Sequence, residues 1–162
     1  MNIGNIDVFI FDFDGVLTNN LVYINQEGVE SVACSRADGL AFDVLRKLKK
    51  PVYILSTEKN KTVAARADKL KIPVLQGVED KVGALKEMAG KERFDLKNVL
   101  YVGNDLNDYQ IMRLCGFSVC PADSHPKIKE ISNITLRTNG GNGVVRELLE
   151  EVLGLDFVRI LY

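Results

Sequence analysis

Short, nearly unbroken apolar runs recur along the chain, and stretches of helical period separate them. The runs are Val8–Phe11, Val52–Leu55, Val99–Val102 and Phe117–Cys120, with a short one near Val74–Leu75 and another at Ile134–Leu136. Continuous runs of Val, Ile, Leu and aromatics suit strands covered on both faces. Between them, Val63, Ala64, Ala67 and Leu70 share one helical face, as do Val82, Leu85 and Met88 or Ala89. A last helix is read over Val144, Val145, Leu148, Leu149, Val152 and Leu153. Strand and helix in alternation predict a parallel sheet with helices on both sides.

One segment breaks the alternation. Leu21–Ile24, then Asn25-Gln26-Glu27-Gly28, then Val29–Ser35 reads as a β-hairpin with Gly28 in its turn. It follows the first strand and its loop, so it has to project from the sheet. No repeat, linker or low-complexity tract divides the 162 residues, enough for one domain with a real core. The expectation is a single α/β domain over 1–162, a Rossmann-like three-layer sandwich with a mostly parallel central sheet, and one projecting hairpin over about 21–35.

Composition narrows the functional classes. A formal net charge of -1 lacks the basic footprint of a nucleic-acid binder. No apolar run reaches the length of a membrane span, and the start lacks the basic region of a secretory signal, so a cytoplasmic location is expected. Three cysteines (Cys34, Cys115, Cys120) without a CxxC pair, and a lone His125, argue against structural zinc and histidine triads. Reduced thiols are the simplest reading. His125, just before Pro126, reads as a surface or capping residue.

In open parallel sheets, ligands bind beyond the carboxyl ends of the strands. The first strand is followed there by Asp12, Asp14, Gly15 and Thr18, the second by Ser56, Thr57 and Glu58, and the Val99–Val102 strand by Gly103-Asn104-Asp105-Leu106-Asn107-Asp108. Glu79-Asp80-Lys81 precedes a helix. Asp12 and Asp14 at i, i+2 on an extended segment share a face. A solvated turn would also take Asp and Gly. Against that stands the apolar run around Asp12, which makes an unpaired carboxylate costly. Two close carboxylates repel unless a cation intervenes, and oxygen ligands suit magnesium.

These residues resemble a known family. Phe11-Asp12-Phe13-Asp14-Gly15-Val16-Leu17-Thr18 resembles the first motif of the haloacid dehalogenase-like phosphohydrolases, and Ile54-Leu55-Ser56-Thr57-Glu58-Lys59 falls where the second lies. Gln76-Gly77-Val78-Glu79-Asp80-Lys81 resembles the third, and Gly103 to Asp108 the fourth. Gly140 to Glu147, GGNGVVRE, resembles the signature of a capless branch. That branch holds the phosphatases of 3-deoxy-octulosonate 8-phosphate and nonulosonate 9-phosphates, and a domain attached to some acylneuraminate cytidylyltransferases. The intervals from Asp14 to Ser56 and from Ser56 to Lys81 leave no room for a large cap.

The resemblance implies an aspartyl-phosphate mechanism. Asp12 is the expected nucleophile and Asp14 the general acid and base, with Ser56 and Lys81 holding phosphate oxygens. Mg²⁺ is the expected cofactor, held by Asp12, the Asp14 carbonyl and Asn104, with Asp105 and Asp108 behind them. Asn104 stands where many relatives have aspartate; its amide oxygen still suits a hard cation, with less charge. A helix N-cap remains open for Ser56, and a solvated surface position for Lys81.

For substrate, Glu58, Arg66 and Lys69 are placed on a single helix, where the eleven-residue spacing puts Glu58 and Lys69 on one face, with Arg36, Asp38 and Arg146 as further candidates. Asp38 equally reads as a helix cap, and Arg146 as an ordinary surface pair. Glu58 and Lys69 resemble a glutamate and a lysine of the nonulosonate members, so the resemblance tilts the expectation toward a nonulosonate 9-phosphate, with the octulosonate 8-phosphate next. A non-catalytic assembly domain is the alternative of another class. In the capless branch tetramers cover such open sites, so the resemblance, to which the hairpin gives a physical handle, implies a homotetramer acting on a small sugar phosphate.

Overall fold

The computed structural model describes residues 1–162. A six-stranded, wholly parallel sheet forms the middle layer. Its strands are β1 (Val8–Phe11), β4 (Val52–Leu55), β5 (Val74–Leu75), β6 (Val99–Val102), β7 (Phe117–Cys120) and β8 (Ile134–Thr135), in the order β5-β4-β1-β6-β7-β8. The four long strands occupy the residues that the apolar runs predict. β1 lies between β4 and β6, so the strand order reverses there, and the crevice at its carboxyl end is the natural ligand position.

Side chains alternate between two cores. Phe9, Phe11, Leu100 and Val102 point into one, covered by α1 (Ala37–Lys47), α2 (Lys61–Leu70), α6 (Val144–Glu147) and α7 (Phe157–Leu161). Val8, Ile10, Val99 and Tyr101 point into the other, under α3 (Lys81–Glu92), α4 (Tyr109–Met112) and α5 (Pro126–Ile131). This two-sided burial is why the strand runs are unbroken rather than alternating. No helix is long and apolar enough to cross a membrane.

The hairpin is present but narrow. β2 (Tyr23–Ile24) pairs antiparallel with β3 (Glu30–Ser31), Gly28 turns at φ 75°, and a Thr18–Cys34 bridge ties its base to the loop after β1. Its apolar residues face outward: Ile24 is 67 % exposed and Val29 60 %, with Leu21, Val22 and Tyr23 also exposed.

Three local readings change. The last helix is not one period. α6 gives way to a π-helical turn over Leu148–Val152, in which the Leu153 N–H reaches the Leu148 carbonyl. The helix holding Arg66 starts only at Lys61, because the Asn60 side chain accepts from Thr62 N–H and caps it. Glu58 is thus in the loop before α2, off the helix that carries Arg66 and Lys69, and shares no helical face with Lys69. Asp38 caps no helix of its own. It is buried and accepts from the backbone N–H of Arg146 at 3.0 Å, capping α6 across 108 positions of sequence.

His125 is a cap, as read: its Nδ1 accepts from Lys127 N–H at the start of α5. The three cysteines are free. Phe157 buries the C-terminal segment against the same core as α1, while Tyr162 stays exposed.

Candidate active site

The carboxyl ends of β1, β4 and β6 deliver the site. Asp12 leaves β1 with its N–H still bonded to the Val102 carbonyl, which fixes its position against β6. It is buried, and its Oδ1 lies 2.9 Å from Lys81 Nζ. Lys81 opens α3, where the Asp80 side chain caps the helix by accepting from Gly83 N–H. With Lys81 3 % exposed, the solvated-surface reading fails. Its Nζ also lies 2.7 Å from Asp108 Oδ1, which accepts the Tyr101 hydroxyl at 2.8 Å. The other Asp108 oxygen accepts from Asn104 N–H at 2.9 Å.

One lysine thus sits between two buried carboxylates. Burial opposes its charge, but Asp12 and Asp108 outweigh burial and hold its pKa above the ordinary value. The Asp12 carboxyl is pushed up to about 8, by burial first and the Asp108 charge second, with Lys81 opposing. The cluster carries one more negative charge than positive when both acids are ionised. A cation would relieve this excess.

Asn104 is the far wall. Its side-chain Oδ1 is buried and has no hydrogen-bond partner. A buried amide oxygen without a donor is costly, so it marks a position for a missing electropositive atom. Gly15, at φ 76°, packs against this amide so closely that an added Cβ would stand 1.9 Å from Nδ2. The main-chain carbonyl of Asp14 receives no backbone hydrogen bond. These groups meet at a cavity of about 350 Å³ lined by Asp12, Asp14, Asn20, Thr57, Asn104 and Asp105, among others.

Asp14 is half-buried, and its pKa is raised by burial, then by the Glu58 charge, with Lys81 opposing and Glu30 adding to the rise. Glu58 therefore acts on the site although it lies off the helix. Its Oε1 accepts from the N–H groups of Lys59 (2.7 Å) and Asn60 (2.9 Å). Glu30 of the hairpin accepts from the Asn60 side chain at 2.7 Å, linking hairpin and catalytic edge. Ser56 is buried at the end of β4. Its Oγ accepts from Glu58 N–H at 3.0 Å, and it caps no helix.

The structure therefore brings together Asp12, Asp14, Ser56, Glu58, Lys81, Asn104, Asp105 and Asp108. It separates the rest. Arg36, Arg66 and Lys69 line a different cavity of about 650 Å³ between α1 and α2, with Arg46 and Lys71. Arg66 donates to the Ser35 carbonyl at 2.8 Å. Arg146 pairs with Glu150 one turn on and lies over the Phe157 ring at 4.6 Å, as a local structural pair. Tyr101 and Asn20 escaped the sequence reading, while Thr57 and Asn107 were placed at this edge without a role. Tyr101 carries a signal in hindsight: a hydroxyl in a wholly buried strand needs a polar partner.

Comparison with known proteins agrees with this geometry. Residues 46–148 match the family model for haloacid dehalogenase-like hydrolases. The chain is 34% identical over 151 residues to the 3-deoxy-D-manno-octulosonate 8-phosphate phosphatase of Yersinia pestis, covering 93% of this chain and 81% of the relative. The Escherichia coli K12 phosphatase of the same name is 35% identical over 150 residues, covering 92% and 80%. A HAD family hydrolase from Streptomyces avermitilis superposes with a TM-score of 0.93 at 40% identity, covering 97% and 90%. The octulosonate 8-phosphate phosphatase of Moraxella catarrhalis, solved with magnesium, phosphate and KDO, superposes at 0.89 with 31% identity, covering 94% and 88%.

Proposed function

The chain belongs to the haloacid dehalogenase-like hydrolases and is a phosphatase of that family, and on this premise we propose that it is a Mg²⁺-dependent phosphomonoesterase acting on the phosphate of a 3-deoxy-ulosonic acid. The observation that carries the reading is the buried Asp12–Lys81–Asp108 cluster facing a cavity with an orphaned Asn104 oxygen. The donor set fits magnesium: Asp12, the Asp14 carbonyl and Asn104 Oδ1 would hold it, with Asp105 on the same cavity wall. The chemistry a bound Mg²⁺ supplies is charge neutralisation between the phosphate and the carboxylates.

Asp12 uses one oxygen for Lys81 and attacks phosphorus with the other. The phosphorus–sugar oxygen bond breaks, and the leaving oxygen takes the proton of Asp14. Burial and the Glu58 charge raise the pKa of Asp14, the direction a general acid requires. Asp14, now a carboxylate, removes a proton from water; the water oxygen attacks phosphorus and releases Asp12. Lys81 balances the charge of Asp12. The Ser56 oxygen already accepts from Glu58 N–H, so its own hydrogen is free for a phosphate oxygen.

Among substrates, the eight-carbon 3-deoxy-D-manno-octulosonate 8-phosphate comes first, on the strength of the relatives from Yersinia pestis and Escherichia coli. This reverses the order drawn from sequence. The nine-carbon reading rests on Glu58, which offers the catalytic edge an acceptor for sugar hydroxyls rather than a cation. The exposed apolar hairpin supports assembly into a homotetramer, since such a patch is unusual on a monomer. Light scattering checks this, and a monomer at working concentration sinks it. The substrate test is phosphate release with Mg²⁺ from the eight- and nine-carbon esters in parallel. A higher kcat/KM on the eight-carbon ester is expected; a preference for the nine-carbon ester restores the earlier order, and inertness to both and to a broad phosphate panel removes the substrate proposal.

A further inference from the structure

The glycine-rich segment before α6 is gripped from two sides. Glu147, the last residue of α6 and only 8 % exposed, accepts from two consecutive backbone N–H groups: Oε1 from Arg137 at 2.9 Å and Oε2 from Thr138 at 2.8 Å. From the loop after β7, Ala122 N–H donates to the Thr138 carbonyl at 3.0 Å, and Asp123 Oδ1 accepts from Gly140 N–H at 2.9 Å. The capping Asp38 holds α6 itself.

The other side of the segment lies on the turn that carries Asp14. Gly141 N–H donates to the Val16 carbonyl at 3.0 Å. A Cβ on Gly140 would stand 2.2 Å from the Gly15 carbonyl oxygen, and one on Gly141 2.4 Å from Asn19 N. Backbone packs on backbone there, with no side chain to absorb a shift. Within the turn, Gly15 N–H donates to Thr18 Oγ1 at 3.1 Å. Any movement of residues 137–141 is therefore passed to Gly15–Asn19, and Asp14 adjoins them.

We propose that Glu147 is a positioning residue for Asp14, acting through the Arg137–Gly141 strap rather than by touching substrate. Burying a carboxylate to hold two backbone donors is justified where those donors must stay in one place, because charge-assisted bonds are the stronger kind. The Arg137 side chain is largely exposed and reaches Glu147 only at 3.6 Å, so a surface ion pair does not account for the burial.

The test compares Glu147→Gln, Gly140→Ala and the remote control Glu87→Gln on p-nitrophenyl phosphate with Mg²⁺, well below each melting temperature. Glu147→Gln keeps the side-chain volume but sets an amide N–H against one backbone N–H. Gly140→Ala disturbs the same contact from the opposite end. Both are expected to lower kcat about ten- to a hundredfold with KM changed less than about twofold, the size of effect a small misplacement produces. Glu87→Gln keeps wild-type kcat. Amide exchange at residues 14–19, read without substrate, is expected to speed up in both strap variants. Wild-type kcat and exchange in folded Glu147→Gln overturn the proposal. So does an activity loss that tracks the unfolded fraction and vanishes on cooling. If wild type itself releases no phosphate, the phosphatase reading fails, and the exchange result alone decides the strap.

Discussion

Two cavities in this molecule carry opposite charge and different kinds of construction. The one at the ends of β1, β4 and β6 is backed by the buried, mutually paired Asp12, Lys81 and Asp108, with Asp14 half-buried and Asp105 exposed on its wall. The one between α1 and α2 has five basic residues on its walls, and its Arg66 and Arg46 are spent on the Ser35 and Leu70 carbonyls. Buried charge that is cross-tied has a fixed geometry, whereas the exposed Arg36, Lys69 and Lys71 offer attraction without one. The comparison places chemistry in the first cavity and, at most, attraction of anions in the second.

The largest expected effect is Asp12→Asn. It should lower kcat by at least about 10⁴-fold, as nucleophile removal does, while circular dichroism stays native. Arg66→Ala or Lys69→Ala should change kcat less than about threefold; a loss rivalling that of Asp12→Asn would erase the distinction between the cavities. Lys81→Met leaves two buried carboxylates facing each other and is expected to cost about 3–5 kcal/mol in denaturant unfolding, besides most activity. An unchanged unfolding midpoint would show that Lys81 is not the hub.

Asp38 gives a gentler signature in pH. Burial first raises its carboxyl to about 6, against the hydrogen bonds from α6. The folded state therefore keeps a proton that the unfolded chain has lost above its ordinary value of 3.8. That contribution is complete below pH 4 and fades as pH rises to about 6. Asp38→Asn should flatten this part of the melting-temperature profile; an unaltered slope would locate the titration elsewhere. The smallest effect is Asn104→Asp. Activity should persist, with Mg²⁺ binding tightened several-fold in calorimetry by the added charge. Loss of activity would mean the residue is misassigned.

The sheet was legible because its four long strands are covered on both faces, so burial prints an unbroken apolar run at each. The acids proposed for catalysis were legible as candidates because they follow those runs directly. What stayed hidden depends on contacts distant in sequence. Asp38 and Arg146 meet across 108 positions, and no local pattern announces a cap for another helix. The Asn60 cap delays α2 and drops Glu58 from the face that spacing alone assigned it. Tyr101 looks like one more apolar strand residue until Asp108 is seen beneath its hydroxyl. The hairpin was found, but only two residue pairs register as strand, since exposed apolar residues give it no packing partner within the chain.

The proposed mechanism rests on Asp12 carrying the phosphoryl group during turnover. Acid quenching of the enzyme mid-reaction, followed by borohydride reduction, converts a phosphorylated aspartate to homoserine, which peptide mass spectrometry locates. Homoserine is expected at position 12 in wild type and none in Asp12→Asn. Steady turnover with residue 12 unmodified, or modification at another carboxylate, would contradict it.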